Sequence, residues 1–201
     1  MSPDSDARAV PASPGRGEVR EKGSRFFGLA SRADSAAAAG ELVERLRREH
    51  HDATHVAFAW KIGSGAAAAR RSSDAGEPSG TAGRPIASAI DASGLTDVVV
   101  AVVRYFGGTK LGTGGLARAY RLAAERALAA AGTETQYDTV RLTVRCPYEK
   151  AAVVRRLLDP PHVRLAGERF EPEPVLELEV RRSRVEGVLE ALRGFDPTVE
   201  S

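Results

Sequence analysis

Five glycines and several cations lie within one short stretch of the chain and could bind an anion. The glycines fall within nine residues, Gly107–Gly115. We expect a helix to begin here with Thr113 as its N-cap, so that the backbone N–H groups of its first turn stay unobstructed and its dipole attracts negative charge. The residues expected to hold a phosphate or carboxylate group are Arg104, Lys110, Thr113, Gly114, Gly115, Arg118 and Arg121.

Two other interpretations of this stretch stay open. The glycines could instead supply positive φ angles for a tight crossover against a sheet. An enzyme or sensor that binds a nucleotide or another phosphate-containing small molecule is the alternative function. The spacing of Gly112, Gly114 and Ala117 satisfies G-x-G-x-x-A, but it does not directly follow a strand as a dinucleotide site requires. Lys110 precedes Leu111 rather than Ser or Thr, which argues against a Walker motif.

A second polar motif, SSDAGEPSGTAGRP, covers residues 72–85. Its glycines and prolines are typical of a loop. Carboxylates at this spacing can serve acid–base or metal chemistry, but they more often cap turns and helix ends. The candidate side chains of this motif are Asp74, Glu77, Ser79, Thr81 and Arg84.

No arrangement of residues indicates catalysis or metal binding. No nucleophile, base and orienting group stand in a recognisable relation, so we expect no catalytic residue. His50, His51 and His55 straddle a predicted helix end and turn without a cysteine partner, and we expect neither a metal nor a cofactor. The single cysteine, Cys146, excludes an internal disulfide and suits a reducing cytoplasm.

Three stretches together carry a family resemblance: KGSRF at 22–26, the motif at 72–85, and RYFGGTKLGTGGLARAY at 104–120. They closely resemble the YigZ family, whose N-terminal domain is shared with the eukaryotic IMPACT proteins. The resemblance covers about residues 20–200. It implies an N-terminal fold similar to the second domain of ribosomal protein S-five and a small C-terminal domain similar to domains of elongation factor G. It also implies a role linked to translation, because IMPACT relatives are linked to control of initiation.

The chain departs from the family pattern at two places. Family members often carry a second His or a Cys just after the equivalent of His55, where this chain has Val56 and Ala57. They usually have two consecutive acids where this chain has Asp74 and Ala75. The first departure weakens the case for a His/Cys catalytic pair, and a mechanism that needed both acids would fail here. Both departures favour a protein that is not an enzyme.

The apolar run Val98–Val103 predicts a strand buried on both faces, and the helix after the glycines should extend to about Ala131. The order of strands and helices expected in this part of the chain predicts an α+β domain whose helices pack on one face of a sheet. Its other expected elements are a strand near 26–29, a helix at 35–50, strands at 55–62 and 70–73, and a helix at 85–92.

The remainder of the chain predicts a second, ferredoxin-like βαββαβ domain. Its expected strands are 139–146, 162–170, 174–181 and 194–200, with helices at 147–158 and 183–192. Residues 1–21 are rich in Pro, Ser, Gly and Ala without periodicity and are expected to form a disordered arm. The expected domains are 22–134 and 137–201, joined by a linker at 133–136.

Composition bounds the function without deciding it. Hydrophobic residues make up 42% of the chain and charged residues 28%, with a net charge of +2. The longest apolar runs, about six residues, are too short to cross a membrane, and the first residues lack an apolar signal region.

Cations near a helix start, with Tyr105 and Phe106 available for stacking, favour RNA as the partner. We therefore expect a cytoplasmic, non-catalytic binding module for RNA or the ribosome, linked to regulation of translation.

Overall fold

The computed structural model describes residues 6–170 and 172–200. Two compact units divide the chain: the larger is Arg8–Thr135, and the smaller combines Met1–Ala7 with Gln136–Ser201. Helices and strands occur together in both units, so the α+β class predicted from the sequence is confirmed. None of the helices in the described ranges has the length and apolarity needed to span a bilayer.

The first ten elements precede the smaller unit's sheet. They are β1 (Ala7–Pro11), β2 (Gly15–Glu21), β3 (Ser24–Arg32), α1 (Ala36–Glu49), β4 (His55–Ile62), β5 (Ala69–Ser73), α2 (Gly83–Ser93), β6 (Val98–Tyr105), α3 (Gly112–Ala131) and β7 (Thr133–Tyr137). Ser35 caps α1 by accepting a hydrogen bond from the N–H of Ala38 at 3.2 Å. Gly132, with a φ of 65°, ends α3.

An antiparallel sheet with the order β2-β3-β6-β4-β5 forms the centre of the larger unit. Along β6, Val98, Val100 and Val102 lie in one hydrophobic cluster with residues of α2 and α3. The alternating residues Val99, Ala101 and Val103 lie in another cluster with residues of α1. Helices therefore cover both faces, and the expectation that they pack on one face was wrong. A strand that is apolar at every position needs cover on both sides.

Helix α3 lies very close to β2 and β3 because glycines there leave its backbone room. A Cβ atom at Gly28 would overlap the carbonyl oxygen of Ala123, and one at Gly17 would lie 2.6 Å from the Cβ atom of Arg126. No side chain fits at such separations. These glycines therefore set the position of α3, and with it the position of the helix start in the glycine-rich stretch.

The interpretation of residues 1–21 as a disordered arm was wrong for residues 6–21. β2 pairs with β3 along its whole length, and Val10 and Val19 are buried. β1 pairs with β7, so the expected linker at 133–136 is a strand. Composition missed these strands because β1 pairs with the distant β7 and β2 packs closely on α3, and neither interaction leaves a local pattern. Residues 1–5 of the expected arm lie outside the described residues.

The smaller unit has the predicted βαββαβ order. Its elements are β8 (Thr139–Arg145), α4 (Tyr148–Arg155), β9 (Val163–Phe170), β10 (Pro174–Arg181), α5 (Val185–Ala191) and β11 (Asp196–Glu200). Its sheet runs β11-β8-β10-β9, and Leu142, Leu176 and Leu178 are fully buried in its core. Asp6 belongs to this unit, because its carboxylate accepts hydrogen bonds from Arg181 Nε and from the N–H of Ser183, both at 2.7 Å.

Candidate functional site

Asp74, in the second motif, caps the start of α2. Its carboxylate accepts hydrogen bonds from the backbone N–H groups of Gly80 at 2.8 Å, Ala82 at 2.9 Å and Gly83 at 2.8 Å. Burial acts to raise the pKa of Asp74, but these three bonds and the nearby Arg84 charge outweigh it, so the pKa lies below its ordinary value. The positive end of α2 is therefore neutralised by the protein's own carboxylate.

The other polar residues of this motif are divided between the turn and the surface. Thr81 is buried, and its hydroxyl donates a hydrogen bond to the carbonyl of Pro78 at 2.6 Å. Ser79 and Arg84 are exposed. The Arg84 guanidinium lies beside Gly80, where a Cβ atom would be 3.7 Å from its central carbon. Thr81 thus closes a turn, and Arg84 stays close to the capped end of α2.

Glu77 joins the second motif to both segments that flank the glycine-rich stretch. One of its oxygens, Oε1, accepts hydrogen bonds from Arg104 Nη1 and from the Tyr120 hydroxyl, both at 2.7 Å. The other oxygen, Oε2, lies 3.9 Å from His55 Nε2. Burial and the adjacent Glu77 carboxylate raise the pKa of Tyr120, so the hydroxyl keeps its proton and donates it to this bond. Sequence reasoning missed Tyr120, whose only signal is its place on the apolar stripe of α3.

Arg104 does not belong to an external anion site, contrary to expectation. Its side chain is 7% exposed and that of Glu77 3%, so the two form a buried ion pair. The guanidinium also lies 5.5 Å from the ring centres of both Phe26 and Phe106. The sequence could not show this, because Glu77 and Arg104 are 27 positions apart and meet only through the fold.

The glycines of the Gly107–Gly115 stretch have different roles. Gly107 packs on the turn between β2 and β3, where a Cβ atom would overlap the carbonyl carbon of Gly23. Gly108 and Gly112 have φ angles of 86° and 71°, which favour glycine. Gly114 is subject to neither constraint: a Cβ atom there would make only an ordinary contact of 3.5 Å with Arg118 Nη1. Part of the stretch is therefore a structural crossover, as the alternative interpretation held, but Gly114 is not explained by it.

Helix α3 begins two residues earlier than a Thr113 N-cap would require. Leu111 occupies the cap position with a helical backbone, and no side-chain hydrogen bond caps the helix within the described chain. Thr113 therefore lies inside the first turn, because the positive φ of Gly112 lets the chain enter the helix there. Gly114 is exposed and Gly115 is half-buried. A Cβ atom added at Gly115 would lie 3.1 Å from the Cβ atom of Leu111.

The predicted cations are arranged unequally around this helix start. Lys110 is exposed and lies two residues before the helix. Side chains on a helix point towards its N-terminus, and Arg118 accordingly brings its guanidinium beside Gly114. Arg121 lies about 13 Å along the axis from the first residue, at 1.5 Å per residue. It forms an exposed ion pair with Glu125 at 2.7 Å. The structure thus brings Lys110 and Arg118 to the helix start, and it places Arg104 and Arg121 elsewhere.

Of the two aromatic residues expected to be available for stacking, one is already engaged. The Tyr105 hydroxyl hydrogen-bonds to Asp52 Oδ1 at 3.1 Å and lies 2.9 Å from His50 Nδ1. Phe106 is 48% exposed, and its backbone N–H donates to Thr54 Oγ1 at 3.0 Å. Across the described ranges, no three His, Cys, Asp or Glu side chains come together as metal ligands.

The protein is therefore a two-unit α+β protein. Its larger unit has a five-stranded sheet and the uncapped helix α3, and its smaller unit has a ferredoxin-like sheet. Residues 22–128 match the family model for the Impact N-terminal domain. The IMPACT family member YigZ of Escherichia coli is 37% identical over 150 residues, which cover 74% of each chain. An IMPACT family member of Thermus thermophilus is 43% identical over 152 residues, 76% of this chain and 80% of the relative.

A crystal structure of a hypothetical protein matches nearly the whole chain. Its identity is 29% and its TM-score 0.70, over 98% of this chain and 97% of the other. This chain therefore belongs to the IMPACT family, together with YigZ.

Proposed function

We propose that this protein is a non-catalytic RNA- or ribosome-associated binding module linked to regulation of translation. Phosphate groups of RNA would bind at the start of α3. The observation that carries the proposal is an uncapped helix start with the Arg118 guanidinium beside the exposed Gly114. Backbone N–H groups at helix starts, together with lysine and arginine, are the usual protein contacts to phosphate oxygens.

The link to translation comes from membership of the IMPACT family rather than from the geometry. The geometry supports a binding role over a catalytic one, because the acidic groups of the second motif have structural partners. Asp74 caps α2, and Glu77 is buried against Arg104 and Tyr120. Neither carboxylate is left to act as an acid or base on a ligand at the surface.

Charge removal at the helix start tests the proposal. Lys110→Ala and Arg118→Ala should each weaken binding to RNA oligonucleotides and to ribosomes, measured over a series of salt concentrations. Removing one phosphate-binding charge should flatten the slope of log affinity against log salt by about one unit. Arg48→Ala is the matched control, since Arg48 is exposed on α1, across the sheet from α3.

Gly114→Val tests the contribution of the backbone, because a branched side chain would cover the N–H groups of the first turn. Gly114→Ala should have a smaller effect, since its Cβ atom fits. The proposal is wrong if all these variants stay folded and bind RNA and ribosomes with the affinity and salt slope of the unmodified chain. Binding of mononucleotides as tight as that of RNA would instead favour a nucleotide-binding sensor or enzyme.

A further inference from the structure

Phe106 is an exposed aromatic side chain directly before the glycine-rich stretch. Among the described residues of the larger unit, Phe106 and Leu122 are the exposed large apolar side chains, at 48% and 40%. Phe106 directly precedes the Gly107–Gly115 stretch, whereas Leu122 lies in the middle of α3, about one helical turn after Arg118. Neither is a member of the hydrophobic clusters that form the core. Packing of the core therefore does not explain why a phenylalanine stands at position 106.

The ring of Phe106 is held in place by the structure around it. The Arg104 guanidinium lies 5.5 Å from the ring centre, and the ion pair with Glu77 fixes that guanidinium. The hydrogen bond from the Phe106 backbone to Thr54 and the close packing of Gly107 on Gly23 fix the main chain. Little conformational entropy remains to be lost when a flat group stacks on the exposed part of the ring.

We propose that Phe106 stacks on an unpaired base of RNA while Lys110 and Arg118 contact a neighbouring phosphate. This inference rests on the proposed function and narrows its ligand class to RNA with unpaired bases. Bases inside a duplex are already stacked on one another and cannot reach an aromatic side chain, whereas bases of single strands, loops and bulges can. Stacking is tolerant of base identity, so little preference among the four bases follows from it.

The test compares three RNA ligands matched in total phosphate number: a single strand, a blunt duplex, and a strand without bases. The unmodified chain should bind the single strand more tightly than the other two. Phe106→Ala should lower affinity for the single strand about 5-fold or more, leave affinity for the strand without bases unchanged, and keep the salt slope. Phe106→Tyr should restore the affinity, because it keeps the ring. Circular dichroism and thermal melting establish that each variant is folded.

The outcomes separate this inference from the proposed function. If Lys110→Ala weakens binding but Phe106→Ala binds every ligand as the unmodified chain does, the phosphate site stands and the stacking role is overturned. Equal affinity of the unmodified chain for all three ligands overturns it as well. If no ligand binds, the proposed function fails and this inference fails with it.

Discussion

Helices α2 and α3 both begin with a glycine and both have an arginine near the helix start, yet among the described residues only α2 has a side-chain acceptor for its first N–H groups. At α2, the Asp74 carboxylate accepts hydrogen bonds from three N–H groups. At α3, Arg118 lies beside Gly114 and no side-chain hydrogen bond caps the helix in the described chain. The first arrangement is complete within the protein, whereas an acceptor from outside the described chain at the second is what the proposed function requires.

The loop of residues 72–85 provides a carboxylate to α2 and another to α3, but only the carboxylate at α2 lies at the start of its helix. Asp74 caps α2, whereas Glu77, three residues later, binds Tyr120 in the middle of α3 and Arg104 at the end of β6. Glu77 thus holds α3 in place from its side and leaves the N-terminus uncovered. A helix can therefore be held in place from its side while no side chain caps its start.

The largest effect is expected from Glu77→Ala. This change would leave the Arg104 guanidinium buried without its counter-ion, and breaking a buried pair in this way costs about 3–5 kcal/mol of unfolding free energy. Denaturant unfolding measures it. Glu77→Gln is the control, since it keeps the volume and an oxygen acceptor and should cost less. Full stability of Glu77→Ala would mean that the pair does not hold α3.

A smaller decrease in stability is expected from Asp74→Ala, which removes the cap of α2. Removing an N-cap carboxylate costs about 0.5–2 kcal/mol of unfolding free energy. RNA affinity should not change, because the start of α3 is a separate region. A parallel decrease in RNA binding by the folded variant would contradict the division between a capped and an uncapped helix start.

The same cap should depend on pH. Because the folded-state pKa of Asp74 lies below its ordinary value of 3.8, the stabilisation is present above that value and is lost as pH falls through the folded-state pKa. The difference in unfolding free energy between the unmodified chain and Asp74→Asn should therefore be constant near neutral pH and shrink in acid. A difference that does not change in acid would mean that the charge of Asp74 is irrelevant.

The smallest effect on stability is expected from Thr113→Asp, which gives α3 the negative charge that α2 already has. Thr113 is exposed in the first turn, where a carboxylate stabilises a helix by about 0.3–1 kcal/mol through the dipole. The same charge should repel phosphate and weaken RNA binding. Thr113→Asn, without the charge, is the control. If Thr113→Asp and Thr113→Asn bind RNA equally, phosphate does not approach this turn.

Several elements follow from the sequence alone, because their signals are local. The apolar run Val98–Val103 predicted the buried strand β6, the helix expected at 35–50 is α1, and the helix expected to extend to about Ala131 is α3. The predicted βαββαβ order is that of the smaller unit. Each of these depends on residues within one turn or one strand of each other. The family was also readable from the sequence, because the motifs that carry it are contiguous.

Other features depend on pairs of residues that only the fold brings together. β2 forms a hairpin with the adjacent β3, but its cover is long-range, because Gly17 lets the distant helix α3 approach it. The sequence predicts that Arg104 binds an anion, but its partner in the structure is Glu77, 27 positions away. The glycines predict a helix start. The direction in which α3 projects its side chains decides that Arg118 reaches this start. Long-range packing therefore determined which of the predicted site residues remain free to bind.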